Sequence, residues 1–70
     1  MMPLTMARPA EEAAIVKITG RDEVRRHLAE LGFVVGATVS VVSEMAGGFI
    51  VQVKDGRVAL DQSMANRIMI

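Results

Sequence analysis

Asp22-Glu23-Val24-Arg25-Arg26-His27-Leu28-Ala29-Glu30-Leu31-Gly32-Phe33-Val34-Val35-Gly36 is the stretch whose reading decides the fold. Val24, Leu28 and Leu31 fall at i, i+4 and i+7, which places them on one face of a helix, and Asp22 is positioned to cap its start. Gly32 follows the last periodic residue, where a helix commonly ends in a left-handed conformation that only glycine adopts without strain. Phe33 then returns the chain to the core. Gly36 suits the positive-φ position of a type II turn ahead of the β-branched run Thr38 to Val42. On the helix's outer face, Asp22 and Glu23 precede Arg26 by four and three residues, the order that favours ion pairs in a helix.

Working outward, the remaining segments read as strands. Downstream, Thr38 to Ser43 alternates, with Val39 and Val41 on the core side and Thr38, Ser40 and Val42 on the other. Glu44-Met45-Ala46-Gly47-Gly48 is a loop, and Phe49 to Lys54 is the next strand. Asp55-Gly56 is a hairpin signal that calls for a type I′ turn, with Arg57 to Leu60 as the return strand. Asp61 to Asn66 is predicted to form a single helical turn with Met64 and Ala65 inward, and Arg67 to Ile70 a closing strand. Upstream, Ala13 to Thr19 reads as one strand, Arg8-Pro9-Ala10-Glu11 as a turn, and Leu4 to Met6 as a short edge strand. About five strands with one inserted α-helix predict a mainly β, strongly bent antiparallel sheet. At this length an SH3-like barrel is the natural closure. An OB-type barrel is the alternative, though it ordinarily needs longer strands. No repeat or linker interrupts residues 1–70, so a single domain is expected.

Seventy residues lie near the lower limit for a core that stabilises a fold without staples, and the chain has no cysteine. Disulfides, thiolate metal sites and cysteine nucleophiles are thereby excluded, and burial of the 51% apolar residues must hold the fold. Eight basic and eight acidic residues cancel, so no net field draws the chain to phosphate backbones. Phe33 and Phe49 are the only aromatics, which removes both the stacking platforms of single-strand binders and the aromatic groove that reads proline-rich peptides. Nucleic acid is not an expected partner. The start Met-Met-Pro-Leu-Thr-Met is unlike a signal peptide, and no apolar run approaches the ~18 residues of a transmembrane helix. A cytoplasmic location without direct membrane insertion is expected.

Lys17-Ile18-Thr19-Gly20, Arg25 to Phe33, Gly36, Val58-Ala59-Leu60, and Ala65 with Ile68 together resemble the FeoA family, accessory proteins of bacterial ferrous iron uptake. The likeness runs from Leu4 to Ile70 and is most specific at Leu28-Ala29-Glu30-Leu31-Gly32 followed by Gly36. It implies an SH3-like barrel with an inserted helix, and a cytoplasmic role beside FeoB, a membrane Fe(II) transporter with a cytosolic GTPase domain. Two positions depart from the family pattern. Val35 stands where proline is common, and Ala10 where glycine is common; the second is the harder to place if its φ is positive. The same barrel resembles the C-terminal domain of DtxR-type iron-dependent repressors, which makes a metal-sensing or regulatory module the alternative reading. Since the chain opens on methionine with no helix-turn-helix region ahead of it, a free-standing protein is the expectation.

No constellation of nucleophile, acid and base is present, and Gly47-Gly48 lacks the lysine and following helix of a phosphate-binding loop, so an enzyme is not expected. His27 is the one candidate metal ligand, with Glu23 four residues before it or Glu30 three after. Two ligands without a third make only a weak site. No resident cofactor is therefore expected, and transient Fe(II) or transition-metal association is confined to that pair. The methionines 1, 2, 6, 45, 64 and 69 are scattered as core filler and tail residues rather than clustered for a soft metal. The expected partner surface joins the charged helix face (Arg25, Arg26, Glu30) to the apolar hinge Phe33, Val34 and Val35. Arg21 and Arg57 are further candidates for a basic patch. Self-association through an exposed sheet edge is a third expectation.

Overall fold

The computed structural model describes residues 1–54 and 56–70. Its strands are β1 (Ala13–Ala14), β2 (Lys17–Ile18), β3 (Thr38–Met45), β4 (Gly48–Val53), β5 (Gly56–Asp61) and β6 (Ile68–Met69). Its helices are α1 (Asp22–Glu30) and the short α2 (Gln62–Ala65), preceded by a 3₁₀ turn at Leu4–Met6. The strands form two antiparallel sheets, one in the order β1-β3-β4-β5 and the other β2-β6.

The expected strand from Ala13 to Thr19 is divided between the two sheets. Ala13 and Ala14 pair with Val39 and Thr38, whereas Lys17 and Ile18 pair with Met69 and Ile68. Between them the Ile15 N–H donates to the Ala37 carbonyl and the Val16 N–H to the Met69 carbonyl, so the chain changes partner within two residues. Six strands result instead of about five. The residues expected as a first edge strand form a 3₁₀ turn, because the Met6 and Ala7 N–H groups bond back to the Pro3 and Leu4 carbonyls, burying Leu4 and leaving Met6 exposed.

β3 extends beyond the expected Ser43 to Met45, and Met45 pairs with Gly48, so the anticipated five-residue loop shrinks to a tight connection through Ala46 and Gly47 (φ +82°). The register shifts between Val41 and Ser43, which inserts Val42 as an extra residue on β3. Such a bulge bends a strand and increases its local twist. Val39 and Val41 are buried as their alternation requires, with Val42 half-buried at the bulge. Gly56 begins β5 opposite Val53 rather than lying in the turn, and Lys54 has φ +50°. The type I′ turn expected at Asp55-Gly56 involves Asp55, which lies outside the described residues.

One core joins the two sheets to the helix. Leu4, Ile15, Leu28, Phe33, Val39, Val41, Phe49, Val51, Val53, Leu60, Ala65 and Ile68 are buried in a single cluster. α2 starts where Asp61 accepts the Met64 N–H at 2.7 Å through its side chain, a capping bond that directs Ala65 into this core.

Candidate functional site

The candidate surface begins with the way α1 stops. The Phe33 N–H donates to the Leu28 carbonyl (2.9 Å) and the Gly32 N–H to the Ala29 carbonyl (3.0 Å), with Gly32 at φ +104°. This is the Schellman pattern, which uses two helix-end carbonyls and reverses the chain. A Cβ on Gly32 would lie 3.4 Å from a Val53 methyl, so the helix end rests close against β4. Leu28 and Phe33, the two residues that such a motif brings together, are both fully buried. Each contributes about 1.5–3 kcal/mol by leaving water.

Phe33 is thereby removed from the expected docking surface. Val34 and Val35 are the hinge residues that face solvent, at 41% and 65% exposure. The next turn holds them there: the Ala37 N–H donates to the Val34 carbonyl (3.0 Å) across Val35 and Gly36, whose φ of +93° is what the third position of a type II turn requires. The Gly36 N–H donates in turn to the Ile15 carbonyl at 2.8 Å, tying the turn to the crossover between the sheets. Val35 keeps this turn without the proline common in the family.

The charged side of α1 is exposed, including Glu23, Arg25, Arg26, His27 and Glu30. Asp22 is not the cap; Arg21 occupies that position without a side-chain hydrogen bond, and Asp22 is the first helical residue. Its carboxylate pairs with Arg25, one turn on, rather than with Arg26. Both members are solvated, so the pair is worth less than about 1 kcal/mol. The acidic first turn, Asp22 and Glu23, faces the positive end of the helix dipole, while His27 lies in the last turn. Arg26 forms no ion pair among the described residues.

Among the described residues no group of three His, Cys, Asp or Glu side chains converges as metal ligands. His27 and its neighbours Glu23 and Glu30 lie on the exposed surface, where two ligands from one helix leave most of a metal's coordination to water. Chemically, the surface offers a mixed-charge helix side next to a pair of exposed valines. Sequence spacing found its charged residues and returned Phe33 to the core after Gly32; that both Val34 and Val35 face outward follows from the hydrogen-bonded turn at Gly36. Among the described residues no helix is long and apolar enough to cross a membrane.

Comparison with known proteins places this geometry in context. The FeoA domain model matches residues 2–70. A curated protein of Methanocaldococcus jannaschii named "Putative Fe(2+) transport protein A" is 27% identical, over 100% of this chain and 85% of its own. The crystal structure of Stenotrophomonas maltophilia FeoA complexed with zinc superposes with a TM-score of 0.84 at 31% identity, covering 99% of this chain and 88% of that one. It is described as a procaryotic SH3 domain protein, which agrees with the SH3-like fold expected here. A manganese-dependent transcriptional repressor superposes with a TM-score of 0.84 at 22% identity, covering 94% of this chain but 38% of its own, and shares the fold alone.

Proposed function

The chain belongs to the FeoA family, and from that premise we propose that it is a cytoplasmic accessory protein of Fe(II) uptake, acting through contact with the cytosolic part of a FeoB-type transporter. The work is done by protein contact, without a reaction or a resident metal of its own. Relatives named for Fe(2+) transport support the process. The observation that carries the contact is the exposure of Val34 and Val35 on a hydrogen-bonded turn beside the exposed side of α1. Apolar side chains fixed on a rigid turn and bordered by charge have the make-up of an interface centre with a polar rim. Docking uses Arg25, Arg26 and Glu30 as rim and Val34 and Val35 as centre.

A backbone-amide NMR titration with the cytosolic domain of the cognate FeoB, with and without nucleotide, tests this reading. Localised shifts over α1 and residues 34–36 are expected. Reversing both arginines, Arg25→Glu with Arg26→Glu, should weaken the complex about 10-fold or more while the fold persists. Shifts elsewhere, or an unchanged affinity in the double variant, would refute this surface; no shift in any nucleotide state would refute docking to that domain.

A further inference from the structure

The order β1-β3-β4-β5 leaves β5 at the end of its sheet, with β4 on one side and no strand on the other among the described residues. The direction of its backbone groups follows from the register. Ala59 lies opposite Ile50, Arg57 opposite Gln52 and Asp61 opposite Gly48. One position beyond, the Gln62 N–H donates to the Gly47 carbonyl (3.2 Å). Bonded and non-bonded pairs alternate along an antiparallel ladder, so the pairs of Asp61, Ala59 and Arg57 are the non-bonded ones. The N–H groups of Arg57, Ala59 and Asp61 and the carbonyls of Arg57 and Ala59 therefore point away from β4. All three residues are exposed, while Leu60 between them is buried and Val58 half-buried.

Protein edges are usually blunted by charged side chains, proline or a bulge. β5 has neither proline nor bulge, and its ladder with β4 is unbroken. Its charges are instead placed symmetrically, Arg57 two residues before Ala59 and Asp61 two after. We propose that β5 is a contact between two copies of this chain, paired edge to edge and antiparallel about a two-fold axis at Ala59.

In this register Arg57 of each copy lies opposite Asp61 of the other, with Cα atoms about 5.5 Å apart, as in a hydrogen-bonded pair. Within one chain the two are four residues apart along the strand, about 13 Å, and cannot meet. Among the described residues both retain capacity: Arg57 uses Nε on Gln52, leaving its terminal nitrogens, and Asp61 uses Oδ1 to cap α2, leaving Oδ2. The Ala59 residues exchange two backbone bonds at the axis, and each Asp61 N–H meets the Arg57 carbonyl of the other copy. Ala59 keeps the axis free of bulk, and Gly56 lies opposite Gln62, where the other copy turns into α2. Sliding the register by two residues leaves both charges unpaired, and sliding by four sets Arg57 against Arg57 or Asp61 against Asp61. Charge complementarity thus selects this one alignment and a second copy as the occupant.

Sedimentation equilibrium of the wild-type chain and two variants tests the contact. The wild type should pass from 7.5 kDa toward twice that mass with rising concentration. Ala59→Pro removes an outward N–H that the monomer does not use, a site at which an edge strand tolerates proline, and should weaken the dimer about 10-fold or more. Arg57→Asp sets aspartate against Asp61 at both ends and should weaken it comparably while leaving the dichroism spectrum unchanged. A wild type that remains at 7.5 kDa up to about 1 mM overturns the proposal. So does a dimer that both variants form with wild-type affinity.

Discussion

Ala10→Gly should stabilise this protein. Ala10 follows Pro9 in the turn closed by the Glu11 N–H on the Arg8 carbonyl (3.3 Å), and its φ is +67°. That conformation costs an L-residue roughly 1–2 kcal/mol, and it persists because the Ala10 N–H is anchored to the Val41 carbonyl of β3 at 2.8 Å. Glycine relieves the strain but adds freedom to the unfolded chain, an opposing effect of about 0.5–1 kcal/mol. The methyl of Ala10 is exposed, so no buried contact is lost. A net gain of about 0.5–1 kcal/mol remains, which for a domain of this size raises Tm by about 4 °C. Urea unfolding measures it directly: the midpoint should rise with the slope unchanged. A midpoint equal to or below that of the wild type, at unchanged slope, would refute the strain argument. Gly36→Ala is the converse. A Cβ there meets nothing within 4 Å, so the only folded-state cost is backbone strain at φ +93°; offset in part by the lost freedom of the unfolded chain, it should lower stability by about 0.5–1 kcal/mol.

Three further substitutions probe the features that shape the surface. Phe33→Ala should cost about 3–5 kcal/mol in urea unfolding, because the ring is fully buried beneath the hinge. Asp61→Ala should cost about 1 kcal/mol by removing the side-chain bond to the Met64 N–H, whereas Asp61→Asn, which retains an accepting oxygen, should lose much less. Gly48→Ala brings a Cβ to 2.6 Å from the Leu60 carbonyl oxygen, so β4 and β5 must separate locally; hydrogen exchange should accelerate at Phe49 and Leu60.

Local interactions explain which parts of the fold were legible in the sequence. The end of α1, the positive φ of Gly32 and Gly36, the Asp61 turn and the inward Ala65 all depend on bonds between residues a few positions apart, whereas the cap expected at Asp22 falls one residue earlier, on Arg21. The same holds for the position of the charged candidates on α1, since helical periodicity assigns them a side. Ala10 illustrates a mixed case. Its turn was legible from Pro9 and its neighbours, but the anchor that holds its strained conformation is thirty-one residues away at Val41.

What only the tertiary structure decided is which backbone groups find partners across the molecule, and which apolar side chains reach the core. Ala13 to Thr19 has one continuous strand-like composition, yet Ala37 and Met69 capture adjacent N–H groups from it and send its halves to different sheets. The Gly32 stop returned Phe33 to the core on the sequence alone, but that both Val34 and Val35 stay in water depends on the turn that the Gly36 N–H ties to the distant Ile15 carbonyl. The symmetric charges of β5 are present in the sequence, but their meaning rests on β5 lying at the edge of the sheet. Propensity and periodicity act over a few residues; strand pairing and burial are settled among segments distant in the chain.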